Sequence, residues 1–222
     1  CVPNGLERTD SLPNDKDSDA LTSKYPHLKG KKIILFLGRI DPKKGLDLLA
    51  PAFAKACRRF PDIHLVVAGP DNIGFQPTAE KYFLAAGITD AVTFTGMLQG
   101  KLKQSALEEA SIYVAPSYSE GFSMSILEGM AAGLPCIITS SCNFPEAAEA
   151  QAAKIVSPKT EDLFVALNEL LEHPEDAARM GEHARRFVAE NYTWEEIAQK
   201  LMQIYGAFAK KSRNEENLLH MP

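Results

Sequence analysis

Six short apolar runs, each followed by a helical pattern, confine this chain to one kind of architecture. The strand candidates are residues 33–38, 63–69, 91–96, 111–116, 136–140 and 154–156. Amphipathic helical patterns lie between them near 46–60, 78–86, 101–109, 125–132 and 161–172. The first two runs are apolar throughout rather than alternating, as strands covered on both faces tend to be. Alternation of this kind predicts an α/β fold built on a doubly wound parallel sheet of about six strands. Ligands of such sheets gather beyond the carboxyl ends of the strands. Gly38-Arg39, Gly69-Pro70, Gly96-Met97, Pro116-Ser117 and Ser140-Ser141 all follow strands and are therefore expected along one rim.

Composition narrows the function classes. With 222 residues and 45% apolar content the chain can bury a real core. A net charge of -5 and a pI near 5.6 argue against a nucleic-acid surface, which needs a basic stripe. No apolar run reaches the length of a membrane span, and no charged-then-apolar leader stands at the start. Cys1, Cys57, Cys136 and Cys142 show neither metal-ligand spacing nor a dense disulfide pattern, which suits a reducing cytoplasm.

Some segments fall outside the alternation. Residues 7–19 read as a polar, acidic surface excursion. Within them Asp15, Asp17 and Asp19 do not form a calcium loop, because Ala20 and Pro26 stand where glycine and glutamate are needed. The histidines show no ligand or triad spacing, and His64 reads as a packed or surface ring. After the sheet, His173-Pro174 opens a helix to Glu190, and Thr193 with Glu196 forms a capping box that opens another. Residues 1–211 are expected to form one domain, and 212–222 a disordered tail.

Two stretches on the expected rim carry chemistry. In Ser117–Thr139, Glu120 and Glu128 have seven residues between them, around a Gly-Phe turn that enters a small-residue helix. Open amides at a helix N-terminus suit an anion, and ionised carboxylates only accept hydrogen bonds, so they suit hydroxyl-rich ligands. In Gly38–Gly45, Asp41 is an expected N-cap and Pro42 suits the first helical turn, which places Lys43 and Lys44 against the helix dipole. Cations held there make sense if an anion arrives. Arg39 offers a planar fork and Lys44 a mobile point charge, both good phosphate partners. Neither a dinucleotide fingerprint nor a P-loop occurs.

Together, Pro3-Asn4-Gly5, GRIDPKKG, the VVAGP and TFTG runs and SEGFSMSILEGMAAGLPCI resemble the donor half of retaining GT-B glycosyltransferases of the GT4 (group 1) family. The resemblance runs from about Val2 to about Phe208. It implies one Rossmann-like half of a GT-B fold, followed by C-terminal helices. It further implies that Arg39 and Lys44 clamp the diphosphate of a nucleotide-sugar such as a UDP- or GDP-sugar. Glu120 would hold hydroxyls of the sugar and Glu128 the ribose. Amides of Gly121, Phe122, Ser123 and Met124 would contact sugar and phosphate oxygens, and the Gly96-Met97 turn would lie near the base. Arg39, Lys44 and Glu120 would be the catalytic group, with no cofactor and no metal.

Departures from the family pattern are small. Ser123 replaces a common glycine, Gly129 replaces a common alanine, and Pro51 is expected to kink or break its helix. The family's N-terminal acceptor half has no counterpart, so the resemblance implies a donor domain whose partner is that missing half and which is inactive alone. Its full-length enzyme would be cytoplasmic, with a peripheral place at the inner membrane. Two other readings stay open. A glycosidase using Glu120 and Glu128 as acid and nucleophile would release free sugar from simple glycosides. A non-catalytic sugar-nucleotide-binding or assembly module would keep the pocket without transfer.

Overall fold

A computed structural model describes residues 4–6 and 19–219, with side chains through residue 206. The acidic stretch 7–18, like the string at 1–3, lies outside the described residues. Six strands form one sheet: β1 Lys32–Leu37, β2 Ile63–Ala68, β3 Val92–Gly96, β4 Ala110–Ala115, β5 Cys136–Thr139 and β6 Ala153–Val156. Every pairing is parallel, in the order β3-β2-β1-β4-β5-β6. The chain winds outward from β1 to β3, then returns to the other side of β1 as β4. The switch point therefore falls between β1 and β4, where α/β sheets of this order open a crevice.

The helices are α1 Ala20–Lys24, α2 Leu46–Arg59, α3 Gln76–Ala85, α4 Gly100–Glu109, α5 Met124–Ala131, α6 Glu146–Glu149, α7 Thr160–Glu172, α8 Pro174–Asn191 and α9 Trp194–Leu219. Two apolar cores flank the sheet. One holds Ile33, Leu35 and Leu37 of β1 against α1, α4, α5 and α8 residues such as Leu21, Ala106, Leu127 and Val188. The other holds Ile34 and Phe36 against Phe53, Phe83 and Leu167 of α2, α3 and α7. Successive side chains of a strand point to opposite faces, so a strand covered twice must be apolar at every position. That is the origin of the unbroken runs in β1 and β2.

Three local expectations change. Pro42–Lys44 is a separate 3₁₀ turn, and α2 begins only at Leu46. Asp41 caps that turn, its side chain accepting from the Lys43 amide, but Gly45 at φ 70° ends it. The left-handed conformation is one that glycine enters without penalty. The two lysines are thus not in the first turn of α2, which carries Asp47 instead. Second, α2 runs through Pro51 without a break. Pro51 lies in the second turn, so the bond it forgoes is only that to the first-turn carbonyl of Asp47. Third, the backbone of α9 continues over residues 212–219, where a tail was expected. That stretch contains neither glycine nor proline to stop a helix.

The start of α9 is fastened to residues 4–6. The Leu6 amide donates to the Tyr192 carbonyl at 2.7 Å, and the Trp194 amide donates back to the Leu6 carbonyl at 3.1 Å. The Glu196 amide donates to Thr193 Oγ1 at 3.3 Å, the half of the expected capping box that the structure forms. Among the described residues no helix is long and apolar enough to cross a membrane.

Candidate functional site

Because all six strands are parallel, the segments leaving their carboxyl ends share one edge. At the switch point the loop after β1 and the loop after β4 touch directly. The Tyr118 amide donates to the Lys43 carbonyl at 2.7 Å, and Tyr118 Oη donates to Asp47 Oδ2 at 2.7 Å. Gly45 presses against the same loop so closely that a Cβ there would stand 2.0 Å from the Pro116 carbonyl oxygen. Between the loops Lys44 Nζ meets Glu120 Oε1 at 2.5 Å, each side chain only 13% exposed. Two of the expected site residues, remote in sequence, are in direct contact.

Glu120 is fixed on every side. Ser117 Oγ donates to its Oε1 at 2.7 Å, its amide donates to the Ser141 carbonyl at 3.0 Å, and Asn143 Nδ2 donates to its carbonyl at 2.9 Å. Thr139 Oγ1 holds the Ser117 carbonyl at 2.5 Å. The end of β5 thus fixes the loop that presents the carboxylate. Ser117, Ser141 and Asn143 were not singled out from the sequence. The sequence places Pro116-Ser117 and Ser140-Ser141 on the rim, but nothing local signals that they brace Glu120.

The turn Gly121–Ser123 leads into α5, whose N-cap Ser123 makes no side-chain capping bond. The first-turn amides of a helix have no intrahelical acceptor, so those of α5 stand open. The Phe122 ring lies 5.9 Å from that of Tyr192 and 6.3 Å from that of Phe144, which ties the turn to the junction of α8 and α9. Glu128 follows about one turn into α5, with its Oε1 2.7 Å from Lys103 Nζ of α4. Gly129 faces the buried Tyr113 ring, where a Cβ would approach to 2.8 Å. The absence of a side chain at Gly129 therefore lets α5 settle onto β4.

Arg39 and Met97 are exposed at the ends of β1 and β3. Gly96, at φ 68°, turns the chain there. The Gly38 amide donates to the Ala68 carbonyl and the Gly69 amide to the Gly96 carbonyl, both at 2.9 Å, so the three strand ends are laced into one shelf. Arg39, Gly96 and Met97 share the rim with the Lys44–Glu120 pair but make no direct contact with it that the geometry records.

Cys142 stands beside the Glu120 loop, its Sγ 3.5 Å from Thr139 Oγ1, whereas Cys57 and Cys136 lie elsewhere. Burial pushes the Cys57 thiol up to about 11 and raises Cys136 and Cys142, leaving them protonated and inert. A cavity of about 540 Å³ opens at the amino ends of β2 and β3, lined by His27, His64, Glu80, Asp90 and Thr93 among others. It is at the wrong end of the strands for the rim residues. There the Thr93 hydroxyl bridges His64 Nε2 at 2.9 Å and His27 Nε2 at 2.8 Å. Among the described residues no cluster of three or more metal-ligating side chains occurs.

Comparison with known proteins agrees with this geometry. Residues 17–187 match the family model described as Glycosyl transferases group 1. A D-inositol 3-phosphate glycosyltransferase of Mycobacteroides abscessus is 30% identical over 210 residues, covering 91% of this chain and 45% of the relative. The chain thus spans about half the length of the curated relatives it matches. Among solved structures, sucrose-phosphate synthase from Thermosynechococcus elongatus superposes with a TM-score of 0.78 at 25% identity, over 95% of this chain and 52% of that one. Anabaena HepE, solved in complex with UDP-glucose, superposes with a TM-score of 0.81 at 18% identity, over 93% of this chain and 57% of that one. With the parallel sheet, the Lys44–Glu120 pair at its switch point and a family match over most of its length, the chain belongs to the group 1 glycosyltransferases.

Proposed function

We propose that this chain binds a nucleoside-diphosphate sugar along its carboxyl rim and supplies the donor half of a retaining, metal-independent sugar transfer. The observation that carries the proposal is the Lys44–Glu120 contact at the switch point, 2.5 Å long and 13% exposed on both sides. A cation and an acceptor of hydroxyl hydrogen bonds, held together in a shielded crevice, match the two ends of the bond that must break. Lys44 and the exposed Arg39 would neutralise the departing diphosphate, aided by the open amides of Gly121–Met124. Glu120, already oriented by Ser117 and Asn143, would accept from sugar hydroxyls. Glu128 would take the ribose and the Gly96-Met97 turn would lie beside the base.

The Lys44–Glu120 contact suggests how binding and chemistry connect. Lys44 and Glu120 satisfy one another. An arriving diphosphate competes for Lys44, and the sugar hydroxyls compete for Glu120. Both halves of the donor are then needed to open the pair, which favours the intact nucleotide-sugar over either fragment. A second lobe across the cleft, of the kind the family resemblance implies, would bring the acceptor. Alone, this chain is expected to bind donor and transfer sugar poorly.

The test is calorimetric titration with UDP, GDP and ADP, each free and as its glucose and mannose conjugate. At least one pair is expected to bind. Lys44→Ala should weaken binding about tenfold or more, the scale of a lost charge-assisted contact. Glu120→Ala should abolish the preference for the conjugate over the free nucleotide. Failure of every nucleotide to bind, or an unaltered Lys44→Ala, would overturn the reading.

A further inference from the structure

Lys103 was not expected at the site, yet its ammonium stands 2.7 Å from Glu128 Oε1. The pair joins α4 to α5, two helices with little direct packing between them. Lys103 lies in the first turn of α4, where the helix dipole disfavours a cation unless an anion answers it. Its side chain is 36% exposed and that of Glu128 23%, and ion pairs that open to water add little to fold stability. Stability alone therefore explains the arrangement poorly. Its position is more telling, because α4 starts four residues after the Gly96 turn and both helix N-termini rise from the same rim.

We infer that Lys103 is a positioning residue of the donor site, holding the Glu128 carboxylate in the orientation that receives the ribose diol. The inference rests on the donor-site reading above and extends it to a residue outside the family motif. A carboxylate has about four acceptor positions on two oxygens. Lys103 occupies one on Oε1 and leaves Oε2 and a further lone pair for two vicinal hydroxyls. It also limits the rotation of the Glu128 side chain, so less side-chain freedom is lost when the ligand binds.

The experiment titrates wild type, Lys103→Met and Lys103→Arg with UDP, GDP and ADP, and with the 2′,3′-dideoxy counterpart of each nucleotide that binds. Lys103→Met should weaken the ribonucleotide about five- to tenfold, the scale of one ordinary hydrogen bond. Lys103→Arg should stay within about threefold of wild type. With the dideoxy ligand, wild type and Lys103→Met should differ by less than about twofold, because the groups that Glu128 receives are gone. Unliganded melting curves of the three proteins, run in parallel, are expected to coincide. An equal loss on both ligand series would mean that Lys103 acts on the phosphates and would overturn the inference. So would unchanged ribonucleotide binding, or a Lys103→Met loss that tracks a lowered melting point and is shared by Lys103→Arg. A wild type that binds no nucleoside diphosphate removes the donor reading itself, whereas nucleotide binding that is indifferent to Lys103 removes only this step.

Discussion

Gly129 sits where a methyl group has no room. Measured on helix propensity alone, Gly129→Ala in α5 should stabilise by up to about 1 kcal/mol. The Tyr113 ring reverses that sign. It is wholly buried, hydrogen-bonded to Ser125 Oγ at 2.9 Å, and 2.8 Å from where the new Cβ would stand. Overpacking of this kind costs about 1–3 kcal/mol, so chemical denaturation should find Gly129→Ala less stable than wild type. The neighbouring Glu128 would be displaced with the helix, so nucleotide affinity should fall as well. At this scale the sequence was informative where residue type alone carries the chemistry. Lys44 stood out because the helix dipole disfavours a cation in a turn that enters a helix, whereas Arg39, Glu120 and Glu128 were legible through the family resemblance rather than through local energetics. Lys103, Ser117 and Asn143 were not legible. Their partners lie 25, 3 and 23 residues away, and only the folded loops bring the three onto the two glutamates.

Elements were more legible than their joints. The six strands and the helices between them follow directly from apolar runs that need cover on two faces. The turn at Pro42–Lys44 was misread as the start of α2 because Asp41-Pro42 is a good helix opening. Gly45, whose φ of 70° closes the turn, was the signal that separates the two. Short α1 and α6 were missed, since a single turn carries no periodicity. The Gly121–Ser123 turn depends on elements far from it. Phe122 reaches the rings of Phe144 and Tyr192, which also meet each other at 5.5 Å and the Phe187 ring at 5.9 and 5.4 Å. Each aromatic pair contributes about 0.5–1.5 kcal/mol beyond its buried area. Phe122→Ala should therefore cost about 1–2 kcal/mol in denaturant, and hydrogen exchange should show faster turnover at the Leu127 amide, which donates to the Ser123 carbonyl of that turn. Phe122→Tyr, which keeps the ring, should restore both.

Across the whole molecule, the two ends of the sheet do different work. The carboxyl rim holds the Lys44–Glu120 pair, while the amino end buries a histidine. Burial, followed by the positive charges of His27 and Lys31, pulls the His64 pKa from its ordinary 6.5 down to about 4. The folded protein therefore takes up that proton later than the unfolded chain does. This contribution to stability is fully present above about pH 6.5 and declines as the pH falls toward 4. Thermal melts should show the midpoint dropping between pH 6.5 and 5, before most carboxylates titrate, and His64→Gln should flatten that slope. Sheet order belongs to this scale too, and the alternating pattern did not disclose it. Only the return of β4 to the free side of β1 creates the switch point, and with it the meeting of Lys44 and Glu120. The start of α9 is organised by the clasp of Leu6 on the backbone of Tyr192 and Trp194. Force applied through residues 4–6 has a short route from there: it passes to the Tyr192 ring, then to Phe122, then to the amides beside Glu120. A tether on that segment would work as a lever, with its fulcrum at the start of α9 and its far arm at the rim.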